Sequence, residues 1–139
     1  MGRVVVQQTE GMVFRAAGAS GHGILMDASR EFGGGDSAPR PMEVMLSALG
    51  GCTAMDVVSI LRKMNTEPTA FRIEIDDKRA SNHPKAFTDI HLTYILEGDV
   101  PEKNVAKAIE LSLTKYCPIA NTLAGTTRIT SEYRIVPSQ

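Results

Sequence analysis

The sequence predicts an α+β fold, from three observations. An apolar segment over residues 44–61, preceded by Pro41, is too long for a strand and reads as one long helix. Alternating apolar and polar residues recur at 71–76, at 90–96 and at 129–135, as expected of half-buried strands. Outside the long helix, residues 101–113 carry a helical period, with Val105, Ile109 and Leu113 on one stripe. The order is βββ-α-ββ-αα-β. Strands gathered in clusters, with helices between the clusters, suit a mainly antiparallel sheet rather than a doubly wound one.

The first strand is expected to begin at Val4-Val-Val6. Residues 12–16 and 23–26 read as two more, joined by the turn residues Gly18-Ala-Ser-Gly21. Residues 30–40 form a loop that three consecutive glycines are expected to make mobile. Pro41 suits the first turn of a helix, where its missing N–H costs nothing, and that helix is expected to run to about Asn65. Gly50 and Gly51 lie inside it at roughly 1 kcal/mol each against alanine, and so mark close packing or room for a ligand. Asn82-His-Pro-Lys85 is a turn between two strands. Cys117-Pro118 ends the 101–113 helix region and opens a short helix over 119–124, before the last strand.

A length of 139 residues suits one domain spanning 1–139. The formal charge of −1 gives no electrostatic case for nucleic acid or an anionic membrane. The N-terminal Met-Gly-Arg-Val-Val-Val-Gln-Gln is too short and polar for a signal peptide. Ser47, Gly50, Gly51, Thr53, Asp56 and Ser59 interrupt the apolar helix, and an intramembrane aspartate is costly, so the helix is expected to be buried in protein. The expectation is a cytoplasmic protein with reduced thiols. His22, His83 and His91 show no ligand spacing with the cysteines, and His91 falls on the polar side of its strand, facing solvent. Cys-x-x-Cys and His-Glu-x-x-His are both absent, so neither a metal nor a cofactor is expected. Gly33-Gly-Gly-Asp36 lacks the Lys-Ser/Thr of a phosphate-binding loop.

The two cysteines carry the candidate chemistry. Proline at the first helical position makes Cys117 the N-cap of the short helix, where unpaired N–H groups and the helix dipole favour a thiolate. The plainer reading is a small buried residue at a helix break. Cys52 lies mid-helix, where the dipole helps little and an inert core thiol is the plain reading. Against it stand the space beside Gly50-Gly51 and the charged Asp56 one turn on, which needs a partner. Glu43 sits in the first turn, where dipole complementarity explains it; the functional alternative is that it holds an arginine over the thiol. At ~100° per residue, Glu43 and Cys52 lie on opposite faces of the helix, so any link comes through the fold or a second subunit. Arg15, in a short apolar strand, and Arg40, just before Pro41, are the candidate arginines.

Pro41-Met-Glu-Val-Met-Leu-Ser-Ala-Leu-Gly-Gly-Cys-Thr-Ala-Met-Asp-Val, together with Tyr116-Cys-Pro-Ile-Ala-Asn121, resembles the OsmC/Ohr family of osmotically inducible and organic hydroperoxide resistance proteins. Ala19-Ser-Gly-His-Gly-Ile-Leu-Met-Asp27 and Asp56-Val-Val-Ser-Ile-Leu61 resemble its YhfA-like branch. The resemblance implies an OsmC-like, intertwined homodimer, with two long helices back to back and strands of both subunits wrapped around them. It implies a thiol-dependent peroxidase in oxidative-stress defence, with its sites at the dimer interface. Cys52 would attack an organic hydroperoxide, Cys117 would resolve the product as a disulfide, and a dithiol reductant would reopen it. Glu43 and Arg15 would complete the catalytic set. In the best-studied peroxidases of the family the glutamate directly follows the proline; here Met42 stands there and Glu43 comes one residue later. That departure motivates the alternative: a non-catalytic dimer binding a small apolar or thiol ligand beside Cys52. A third reading is a structural core with inert cysteines.

Overall fold

The structure is a computed structural model and describes residues 2–138. The described chain is mixed α and β, with two three-stranded sheets, and it divides into two compact units, Met1–Ser47 and Ala48–Gln139.

In the first unit, β1 (Val5–Glu10), β2 (Val13–Ala17) and β3 (Gly23–Met26) form an antiparallel meander. Strand β1 runs four residues beyond the apolar start at Val4–Val6. Gln7, Gln8 and Glu10 pair with Arg15, Phe14 and Val13 through the backbone, which needs no apolar side chain. The glycine-rich loop is folded rather than loose, contrary to expectation. Arg30–Phe32 forms a 3₁₀ turn, and the chain then wraps around the buried Asp27. The Asp27 carboxylate accepts from the N–H groups of Ala28 (2.7 Å), Gly35 (3.2 Å) and Ser37 (3.0 Å) and from the Ser37 hydroxyl (2.7 Å). A Cβ at Gly34 would overlap the Ala28 carbonyl, so glycine there permits the close approach of the two backbones.

These donors, the Ser37 N–H foremost and then its hydroxyl, hold the Asp27 carboxyl down from 3.8 to about 2. A depressed native value stabilises the fold fully above the unfolded value. That contribution is lost as pH falls from about 3.8 through about 2. Asp27→Asn is expected to flatten this acid limb and to speed proteolysis near Gly33-Gly34-Gly35. Denaturation midpoints at pH 5 and below 3, with cleavage mapping, check both.

Helix α1 (Pro41–Lys63) ends where Asn65 turns left-handed at φ 55°, and the Thr66 N–H bonds back to the Leu61 carbonyl (2.9 Å). Leu49, Thr53, Val57 and Leu61 recur every four residues and are fully buried, a single inward stripe. The opposite side is another matter. Over the most apolar 18-residue stretch of the helix only 28% is buried, and Met55 is 74% exposed. The helix is long and apolar enough to cross a membrane by length and composition. The expected burial within this chain is therefore met on one stripe only, because the apolar residues run around the helix rather than along one face.

Gly50 and Gly51 differ. A Cβ at Gly50 would meet Ile75 Cδ1 at 2.8 Å, whereas one at Gly51 meets nothing within 4 Å. Gly51→Ala is therefore expected to stabilise the helix by about 1 kcal/mol, and Gly50→Ala to gain less because Ile75 must move. Urea midpoints of the two variants test the contrast.

In the second unit, β4 (Ala70–Arg79) pairs antiparallel with β5 (Phe87–Glu97). Strand β6 (Arg128–Val136) pairs with β5 in parallel, from Asp89↔Arg128 to Glu97↔Val136. Among the described residues three of the four strand pairs are thus antiparallel, as the mainly antiparallel expectation required. The parallel pair follows from the helical crossover between β5 and β6, since parallel strands need a long connection. Central β5 buries Ile90, Leu92, Tyr94 and Leu96 completely. On its other face His91 is side-chain bonded to Thr130 (2.7 Å) and lies 3.4 Å from Glu132, so it is engaged across the strand as well as part-exposed.

Candidate functional site

The crossover itself builds the site. Helix α2 (Glu102–Leu111) buries Val105, Ala108 and Ile109. The helical period led to an α-helix through Leu113; instead the chain widens at Ser112–Tyr116 into a π-helical turn. The Cys117 N–H closes that turn on the Ser112 carbonyl (2.8 Å), five residues back. Helix α3 (Pro118–Leu123) follows, with Cys117 as its N-cap and its sulfur accepting from the Ala120 N–H at 3.4 Å. The cap position expected from Cys-Pro is present.

The turn brings Cys117 onto Cys52. The Cys117 thiol donates to Cys52 Sγ at 3.0 Å, between residues 65 apart in sequence. A disulfide would need the sulfurs only about 1 Å closer. Cys117 is fully buried and Cys52 half-buried, and both are free thiols.

The expected acidity of Cys117 is overturned. Burial pushes its thiol up from 9.0 to about 11, the bond to Cys52 adds to the rise, and the Ala120 and Ile119 N–H groups offset only part of it. Desolvation of a fully buried sulfur outweighs the cap of a six-residue helix. The raised value suits the geometry, in which Cys117 is the donor to Cys52.

Beside the sulfurs runs a polar chain, buried except at the half-buried Asp56, that sequence reasoning did not assemble. Tyr94 Oη and Thr53 Oγ1 are 2.8 Å apart, Thr53 Oγ1 and Ser112 Oγ 2.7 Å, and Ser112 Oγ donates to Asp56 Oδ2 at 2.9 Å. Asp56 finds the partner its place in an apolar helix required. The signal for the others was faint: Thr53 is the one polar member of the Leu49–Leu61 stripe. Burial raises Tyr94 from 10.0 to about 12.

Glu43 and Arg15 belong to the first unit. Glu43 Oε1 accepts from the Arg40 N–H (3.1 Å), the reach-back of a capping box at the start of α1. Arg40 pairs with Asp36 and donates to the Ala38 carbonyl (2.9 Å). The exposed Arg15 lays its guanidinium across Gly23 of the neighbouring β3. A cavity of about 780 Å³ in the second unit is lined by Ile109, Leu113, Ala120, Ile129 and Tyr133 among others; neither sulfur lines it.

The OsmC-like protein family model matches residues 33–132, which include both cysteines and the polar chain. Protein YhfA of Escherichia coli K12 is 42% identical over 132 residues, covering 94% of this chain and 96% of its own. A hypothetical protein of Aquifex aeolicus VF5 superposes with a TM-score of 0.87 at 26% identity, covering 100% of this chain and 98% of that one. An organic hydroperoxide resistance protein OsmC from Legionella pneumophila shares the fold at a TM-score of 0.68 and 17% identity, over 99% and 97% of the two chains. The match across the two cysteine segments, and the identity over nearly the whole length, place this chain in the OsmC-like family.

Proposed function

We propose that this chain is a thiol-dependent peroxidase for organic hydroperoxides, acting as a cytoplasmic homodimer with Cys52 as nucleophile and Cys117 as resolving thiol. The family is linked to hydroperoxide resistance and redox chemistry. The observation that carries the reading is the 3.0 Å separation of two sulfurs distant in sequence, with Cys117 as donor and Cys52 as acceptor. Negative charge forming on Cys52 is met by that S–H.

The Cys52 thiolate attacks the hydroperoxide O–O bond. An S–O bond forms, the O–O bond breaks, and the alkoxide leaves to take up a proton as alcohol. Cys52 is now a sulfenic acid. Cys117 sulfur then attacks Cys52 sulfur; the S–O bond breaks, and hydroxide departs with the Cys117 proton as water. A dithiol reductant supplies two electrons and two protons to reopen the disulfide, becoming a disulfide itself. By resemblance Arg15 and Glu43 activate the Cys52 thiolate. The exposed apolar side of α1, Met55 foremost, supports a second copy packing there.

Stoichiometric cumene hydroperoxide should remove both free thiols and lower the protein mass by two hydrogens. Two thiols that still titrate under excess peroxide, with saturable binding of a small apolar or thiol ligand, would establish the non-catalytic reading instead.

A further inference from the structure

We propose that Thr53, Ser112 and Asp56 form a positioning clamp that holds Cys117 on Cys52. The inference rests on the two-cysteine reading for its kinetics, though not for its equilibrium test.

Hydrogen-bond arithmetic fixes the direction of the chain. A carboxylate only accepts, so Ser112 spends its single proton on Asp56. Ser112 must then accept from Thr53, and Thr53, its proton spent, must accept from Tyr94. Asp56 therefore orders the whole row, Tyr94 to Thr53 to Ser112 to Asp56.

What the row joins matters more than its length. Thr53 follows Cys52 directly and Asp56 lies one turn on, both on α1. Ser112 opens the π-helical turn, and its carbonyl receives the Cys117 N–H at 2.8 Å. One residue, Ser112, is thus held by side chain to the helix of one cysteine and by backbone to the other cysteine. A π turn is rarely stable by itself, and here its first residue is pinned at two points to the helix it must face. Plain satisfaction of buried polar atoms would not require both anchors to sit beside the same thiol pair. Misplacement by about 1 Å is enough to cost a reaction step a large factor.

The test uses the full-length protein and isosteric changes. Thr53→Val keeps the shape and removes the hydroxyl; Thr53→Ser keeps the hydroxyl and loses the methyl. Rapid mixing with cumene hydroperoxide separates the peroxide-dependent step from the later, peroxide-independent closure. Thr53→Val is expected to slow closure about tenfold more than it slows the first step, whereas Thr53→Ser stays near the parent protein. In glutathione redox buffer, without peroxide, Thr53→Val should make the disulfide about tenfold less favoured, a shift of about 30 mV.

Closure and equilibrium both unchanged in folded Thr53→Val would overturn the clamp. A shifted glutathione equilibrium in a protein inert to peroxide would refute the peroxidase reading and leave the clamp standing. Should Thr53→Val fail to fold, Asp56→Asn carries the same test. There the carboxylate's command of the row is lost, and closure should slow by about threefold; unchanged closure and equilibrium would overturn the clamp.

Discussion

Cys52→Ser is expected to abolish organic hydroperoxide turnover, by roughly three orders of magnitude or more, as for loss of a covalent nucleophile. Cys117→Ser should behave differently. Its first equivalent of peroxide is consumed, a sulfenic acid accumulates on Cys52 and can be trapped with dimedone, and the dithiol-driven cycle stalls. The asymmetry follows from geometry. Cys117 is fully buried and gives its proton toward Cys52, while Cys52 is half-buried and receives it. A bulky hydroperoxide cannot reach a sulfur without exposed surface, and a donor thiol is the weaker nucleophile. Full turnover by Cys52→Ser would reverse the assignment, and equal loss in both variants at the first equivalent would mean that the two thiols act as one centre.

Much of the architecture was legible because it is written in periodicity. The strands at 71–76, 90–96 and 129–135 alternate, and the structure extends each only at its ends, where the backbone ladder continues past the apolar pattern. Pro41 marked the start of α1 through its fixed backbone, and Pro118 marked the cap at Cys117. What was not legible depends on contacts between distant segments. The parallel pairing of β6 with β5 leaves no trace in either strand alone. The π turn at Ser112–Tyr116 replaces the last turn of a helix whose stripe, Val105-Ile109-Leu113, fits an α-helix. Ser112 itself looks like an ordinary helical serine until Thr53 and Asp56 are placed against it. The loop at Gly33-Gly34-Gly35 looked mobile because its order comes from one carboxylate, Asp27, eight residues upstream of Gly35.

Cys117 shows the same division within one residue, and yields the second large effect. Its cap was readable, but its acidity was decided by burial, which local sequence does not report. With its thiol pushed up to about 11, far less of it is thiolate at pH 8 than of an ordinary cysteine. Residue-resolved mass spectrometry should therefore find Cys117 alkylated by iodoacetamide at least about tenfold more slowly than a free thiol at that pH, since only the thiolate reacts. The same displacement sets a stability window. The native value is raised, so between about pH 9 and about 11 the native state holds the proton that the unfolded chain gives up. Stability from this group is complete below pH 9 and is lost as pH rises through about 11. Tyr94, raised to about 12, weakens the fold in the same direction at the upper end. Comparing urea midpoints at pH 8 and pH 10.5 for the parent and Cys117→Ser isolates the thiol, because Tyr94 is common to both. A steeper alkaline decline in the parent than in Cys117→Ser is the expected result. Equal declines, or alkylation at the free-thiol rate, would mean that the helix cap and not burial governs this sulfur, and would make Cys117 the more acidic thiol.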